Sequence, residues 1–417
     1  MFLIVAAACA QNAAPPAEHK LSPAEQSMSA ANRMIEKNPK NFEAYNALAL
    51  AQSRRARETS DVRFYAQAEE TLKKSFEISP ENFDGERIQV WLSLGRHEFA
   101  VAREQALKLN KRVPDDVMVY GFLTDANVEL GNYNDAEKAA QMMLDLRPGN
   151  LPGLTRAAYL RELFGDVDGG LDLMNMALQS TQPTEVEDAA WITTQMAHLD
   201  LSIGRISEAE KLLNRALTLF PDYHYALSNL AKVRIQQKRY DEAVELLRKR
   251  YTAAPHAENL YDLAEALDLA GHKAEAASAF QEFEKKSLAE TGIGDNSNHE
   301  LILYYADHAG QPAKALEVAQ REYARRHDVF TLDCYAWALH VNGQDAEARR
   351  QIETTLAVGI KDARFLRHAG EIALSLGDRS AAEHYLIESA ELNATGSEQA
   401  RATLVQISRA KAEQVSR

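Results

Sequence analysis

Residues 117–148 read VMVYGFLTDANVELGNYNDAEKAAQMMLDLRP. Tyr120, Leu123 and Leu130 follow the helical period up to Gly131, and Tyr133 leads into a second run that opens at Ala136. Pro148, which cannot continue a helix, stops it. The stretch therefore predicts two antiparallel helices joined by a glycine turn.

The same unit recurs along the chain. Turn residues fall at Gly95, Gly131, Gly165, Gly204, Lys238, Gly271, Gly310, Gly343 and Gly377, with the longest intervals from Gly165 to Gly204 and from Gly271 to Gly310. Prolines at 80, 114, 148, 183, 221 and 255 form an independent ruler. The two rulers agree on an interval of about 34 residues, which identifies a repeat array. Five positions past each turn stands a small residue: Ala100, Ala136, Gly170, Ala209, Ala243, Ala276, Ala315, Ala348 or Ala382. A larger side chain there would wedge apart the two helices of a unit, which cross closely.

The pattern resembles the tetratricopeptide repeat, a helix–turn–helix unit of about 34 residues. The resemblance covers residues 42–396 in about ten copies, and the family's signature tryptophan is replaced by Tyr45, Tyr120, Leu154, Leu227 or Leu366. It implies an all-α, right-handed α-solenoid of about ten stacked repeats, with repeats 1–7 at 42–288 and repeats 8–10 at 299–396. Residues 21–41 and 397–417 read as capping helices, because an uncapped end repeat exposes an apolar face. The Gly/Asn-rich stretch AETGIGDNSN, 289–298, reads as a loop or a hinge between the two blocks. The first copy carries an insertion around RRARETSD, which predicts a lengthened turn. Residues 331–396 also resemble the last repeats of a group of bacterial tetratricopeptide proteins, in HDVFTLDCYAWAL, NGQDAEA and DARFLRHAGEIALSLGDRSAAEHYL.

The bulk numbers set limits. Among 417 residues, 47 basic and 61 acidic side chains give a net charge of −14, and no basic stripe exists to neutralise phosphates. Nucleic acid is therefore not the expected partner. Only two cysteines, Cys9 and Cys334, are present, so there is no disulfide framework. Residues 1–20, MFLIVAAACAQNAAPPAEHK, read as a leader with an apolar run, small residues and a polar stretch. Ala8-Cys9-Ala10 fits cleavage before Gln11, and the same residues fit lipidation of Cys9. The expected location is exported, periplasmic or lipid-anchored, the alternative being a retained Ala-rich start on a cytoplasmic chain.

Motifs of chemistry are absent. The sequence contains no GxxxxGK[ST], HExxH, CxxC, calcium loop or GxSxG, and the twelve histidines are scattered singly. GIGDNS, 292–297, follows no strand and reads as a loop. The basic runs KKSFE, LLRKRY and YARRHD sit near the ends of second helices, where cations complement the helix dipole. One stretch, TLDCYAWALHVNG, gathers Cys334, Trp337 and His340 within two helical turns. Cys334 and His340 point about 120° apart on one helix, so they form no nucleophile–base pair. No enzyme, cofactor or metal is expected.

A stacked solenoid lines its concave face with first helices. By the resemblance, positions 2, 5, 9, 12 and 13 of each first helix face that groove. Counting the turn residue as position 15, the candidates are Tyr159, Trp191, His198, Tyr225, Lys232, Tyr261, Tyr304, Phe330, Trp337 and His340, with Asn229 alongside. Aromatic and polar residues on a concave surface suit a peptide. The carboxylate clamp of one tetratricopeptide subclass looks absent: Asn229 matches it, but Thr194, His198, Glu258 and Asp262 stand where the other members belong. The expected function is a protein-interaction scaffold of unknown partner. The alternatives are a self-associating envelope component and, after it, an accessory part of an enzyme complex.

Overall fold

The computed structural model describes residues 21–415 apart from 60, 62, 293–295 and 395. Cys9, the rest of the leader-like segment and the middle of the 289–298 stretch lie outside the described residues. Among those described there is no strand, and no helix is long and apolar enough to cross a membrane.

A capping helix, α1 (Pro23–Lys37), precedes ten helix pairs. These begin with α2 (Phe42–Thr59) and α3 (Arg63–Ile78), α4 (Phe83–Gly95) and α5 (Phe99–Arg112), and α6 (Val117–Glu129) and α7 (Tyr133–Leu146). They continue with α8 (Leu151–Leu163) and α9 (Val167–Ser180), α10 (Val186–Ser202) and α11 (Ile206–Leu219), and α12 (His224–Gln236) and α13 (Tyr240–Ala253). α14 (Ala257–Leu269) pairs with α15 (Lys273–Glu290). α16 (Asn298–Leu303) runs on into a π-helical turn, Tyr304–His308, and packs on α17 (Pro312–Tyr323). The last pairs are α18 (Val329–Val341) with α19 (Asp345–Ala357) and α20 (Ala363–Ser375) with α21 (Arg379–Leu392), before a terminal helix α22 (Ser397–Val415). Even-numbered helices are thus the first helices of their units.

Local chemistry sets these boundaries. Asp116, Asn150, Asp328 and Asp362 precede first helices, and each accepts a hydrogen bond from a backbone N–H of the first turn. The residue that reverses the chain inside a unit has positive φ, as at Gly131 (73°), Gly165 (79°) and Lys238 (60°). In the second unit that residue is His97 (φ 56°), while Gly95 is still the last residue of α4. The register there is two positions later than the glycine suggests. Ala102 is accordingly the fully buried small residue, and Ala100 is exposed. Elsewhere Ala136, Ala209, Ala243, Ala315, Ala348 and Ala382 are all completely buried, as close helix crossing requires.

The insertion in the first copy lengthens a helix rather than a turn: α2 carries Arg54–Thr59 in helical form. The fifth unit is also long, with α10 starting at Val186. The two long helices meet. Arg57 is hydrogen-bonded to Glu187 and, at 3.2 Å, to Asp188, and His224 on α12 bonds to the Arg57 carbonyl at 3.1 Å.

The stack winds back onto itself further along. The His327 N–H donates to the Glu129 carbonyl (3.0 Å), and the Val329 N–H to the Tyr133 hydroxyl (3.0 Å), each far across the chain. Arg326 pairs with Glu129, and Lys238 with Glu398. Val128, Leu160 and Leu163 share one core with Leu339, Ile352, Phe365 and Ile372. Each fully buried side chain of that size contributes about 1.5–3 kcal/mol relative to exposure. Successive turns of the superhelix are therefore packed together.

Candidate binding cavity

The first five units leave a cavity of about 920 Å³ on the concave face of α2, α4, α6, α8 and α10. Its walls are chiefly apolar: Leu50, Ile88, Met118, Phe122, Leu151, Met174 and Leu199, with Trp91, Tyr159 and Trp191. Trp91 meets Phe122 edge-on at 6.2 Å between ring centres. Trp91, Met118, Tyr159 and Trp191 are each half-buried, so part of every one remains available. A smaller hollow of about 300 Å³ adjoins it and shares Trp91, Asp125, Glu129, Arg156 and Tyr159.

Charged side chains line the cavity too, and nearly all are already engaged. Arg156 forks onto Asp125 (2.8 and 2.6 Å) and also donates to the Gly121 and Pro152 carbonyls. Arg87 bridges Asp84 (2.6 Å) and Asp116 (2.7 Å). Glu162 bonds to His198 at 2.8 Å. Glu129 is pushed up to about 8, by burial first and then by the Asp328 carboxylate, against the pull of Arg326. Burial likewise holds the Tyr159 hydroxyl well above its ordinary value, and it stays protonated.

Of the residues singled out from sequence, Tyr159 and Trp191 line this cavity, and His198 sits beside it through Glu162. The others lie in the later units. Tyr225 packs between Tyr223 and His224, and Asn229 donates to the Tyr225 carbonyl. Tyr261 and Tyr304 are buried against Phe280 and Phe283. Phe330 meets Phe365 edge-on. Trp337 is 5% exposed, donates to Asp307 (2.8 Å) and stacks on His368 at 4.1 Å. His340 bonds to Asp345. Lys232 is half-buried, and burial lowers its affinity for a proton. Tyr261, Tyr304, Phe330 and Trp337 thus reach into a neighbouring unit, whereas Tyr225, Asn229 and His340 are held within their own.

The Cys334–Trp337–His340 stretch holds no reactive arrangement. Cys334 is buried, and burial pushes its thiol well above the ordinary range, the opposite of what a nucleophile needs. Its neighbour Asp333 is fully buried, raised to about 7 by burial, and bonds to His368 Nδ1 at 2.7 Å. Among the described residues, no group of three or more His, Cys, Asp or Glu side chains is placed to hold a metal ion.

Trp91, Phe122 and Arg54 are cavity residues that the glycine-based register does not place at groove positions, whereas Met118 falls at position 2 of the third unit. Trp91 stands six positions before His97, as Trp337 stands six before Gly343. Taking His97 as the turn residue puts Trp91 at a groove position; taking Gly95 hides it.

The family model of the tetratricopeptide repeat matches residues 200–250. No curated protein matches the chain. Among solved structures, one similar in fold is the APC/C hetero-tetramer Cut9–Hcn1. Its TM-score is 0.51 at 15% identity, covering 75% of this chain and 58% of that one. The chain thus spans less than two thirds of that relative's length. The human IFIT1 dimer with m7Gppp-AAAA gives a TM-score of 0.51 at 12% identity, covering 90% of this chain and 96% of that one. At such identities the likeness concerns the fold alone.

Proposed function

We propose that this α-solenoid, whose residues 200–250 match the tetratricopeptide-repeat family model, is a non-catalytic scaffold that seats a segment of a partner protein in the cavity of its first five repeats. The observation that carries this reading is the contrast between the two halves of the concave face. Units 1–5 enclose about 920 Å³ walled by half-exposed Trp91, Trp191, Tyr159 and Met118, whereas the aromatics of units 7–9 are packed into cores. Large rings over a concave apolar floor are the usual anchors of peptide recognition. The leader-like residues 1–20 support an exported setting for this activity, and the mass of the mature N-terminus tests that part.

The binding reading is tested by panning a phage-displayed library of random dodecapeptides on the whole protein, then titrating synthetic peptides. Trp91→Ala and Trp191→Ala should each weaken the selected peptides by about tenfold or more, as central aromatic anchors do. Val101→Ala, on an exposed outer position, should leave them unchanged. Peptides that bind equally well to all three variants would place the site elsewhere.

A further inference from the structure

The cavity's own hydrogen bonding points to the chemistry of its occupant, an inference that rests on the peptide-binding reading above. Of the four arginines lining it, Arg57, Arg87 and Arg156 are each held by carboxylates of the chain. Every lining carboxylate has a partner in turn: Asp84 with Arg87, Asp125 with Arg156, Glu129 with Arg326, Glu162 with His198 and Asp188 with Arg57. Arg54 differs. It is exposed at the cavity wall, and no hydrogen bond or ion pair of any described residue engages it.

Position explains why. Ala47, Leu50, Arg54 and Arg57 recur at steps of three and four, so they share one face of α2. Arg57, a turn beyond, is drawn across to α10; Arg54 stays over the apolar floor beside Leu50. The half-buried Gln195 amide and the indole N–H groups of Trp91 and Trp191 also lack partners among the described residues. The uncommitted cation of the cavity is thus Arg54, with Gln195 and the two indoles adding uncommitted donors, while each lining carboxylate already has a cationic partner.

We propose that the occupant is a peptide segment carrying a large apolar or aromatic side chain and, close to it, a single carboxylate that pairs with Arg54, with Gln195 and the indoles donating to its backbone carbonyls. Arg54 is then the residue that sets specificity, and the aromatic walls supply most of the affinity. A net charge of −14 repels polyanions at long range, so one carboxylate is tolerated where a charge on every unit is not. That weighs against RNA as the occupant.

The test uses the whole protein and pairs of fluorescein-labelled peptides derived from the panning, identical except for Asp against Asn beside the aromatic residue. Wild type should bind the Asp member about tenfold more tightly, with the margin shrinking between about 50 and 500 mM NaCl. Arg54→Gln should abolish the margin while binding the Asn member as wild type does. Arg54→Lys should restore part of it, which shows that charge rather than fold is being read. A margin that survives in Arg54→Gln, or selection of basic peptides, overturns the proposal and leaves the peptide-binding reading standing. Loss of all peptide binding at the cavity overturns both. A short oligoadenylate RNA that displaces the peptides at equal concentration would also overturn the proposal.

Discussion

Arg57 and Glu187 stand far apart in the chain and are hydrogen-bonded to each other in the structure. Glu187 is almost fully buried and also accepts from the Tyr223 hydroxyl at 2.7 Å. Arg57→Ala therefore leaves a buried carboxylate with one neutral donor. Since Arg57 itself is about a third exposed, the expected cost is about 1–3 kcal/mol rather than the larger figure for a fully buried pair. Chemical denaturation should read that loss, and small-angle scattering should show a wider first coil. An unchanged radius together with unchanged stability would mean that the contact does not hold the coil closed.

Two glycines separate backbone strain from coil packing. Gly165 (φ 79°) and Gly271 (φ 81°) share one conformation, but a methyl group on Gly165 would overlap the Gly359 carbonyl oxygen, while one on Gly271 meets nothing. Gly271→Ala should cost only the left-handed penalty of about 1–2 kcal/mol. Gly165→Ala should cost clearly more, because backbone on the facing coil must move. Equal melting temperatures for the two variants would contradict the close approach of the coils.

Trp191 and Trp337 should respond in opposite ways. Trp337→Ala removes a buried ring stacked on His368 and should cost about 3–5 kcal/mol of stability while leaving peptide affinity intact. Trp191→Ala removes a half-buried cavity wall, and should cost less stability and most of the binding. Parallel thermal melts and peptide titrations check the pairing. A binding defect in Trp337→Ala at a temperature where it is fully folded would move the site toward the later units.

Stability should fall as pH rises from about 4.5 to 8. Glu129 is held near 8 in the folded chain, so below its ordinary value of 4.5 its contribution is fully present. Between about 4.5 and 8 the folded state retains a proton that the unfolded chain has released, and stability declines through that window. Asp333, raised to about 7, and Glu300, also raised to about 7, act in the same direction. His224, lowered to about 4 by burial, acts oppositely and removes stability as pH drops below 6.5. Between about pH 4.5 and 6.5 the three raised carboxyls outweigh His224, so the net slope stays downward through that window. Glu129→Gln should flatten the alkaline decline by on the order of 2 kcal/mol, read from urea midpoints at pH 6 and 8.5. Parallel curves for wild type and variant would show that Glu129 ionises freely in the fold.

The repeat was legible because its causes are local. A left-handed residue at the turn, a small residue at the helix crossing and a stop after the second helix all leave marks at fixed spacing. His97 shows where such marks fail: a histidine took the left-handed position, and the nearby Gly95 drew the register two positions off. That shift concealed Trp91, one of the residues shared by the two hollows. The closing of the coil left no local mark. Arg57 and Glu187 are ordinary charged residues until the two overlong helices carry them together, and burial of Tyr261, Tyr304 and Trp337 likewise depends on neighbours in other units. Residues that face a groove and residues that bridge two units share one helical period, so periodicity alone does not divide them.

The facing coils advance in step: Gly131 lies against His327, Gly165 against Gly359, and Gly204 against Leu392 and Asn393. Repeat arrays are ordinarily modular, and units can be gained or lost with little consequence beyond length. Here each of three consecutive units is matched to one partner unit a fixed number of places later. Removing or duplicating any whole repeat between them would set every one of these pairs against the wrong neighbour. The number of repeats between these paired units is therefore as constrained as the residues within them.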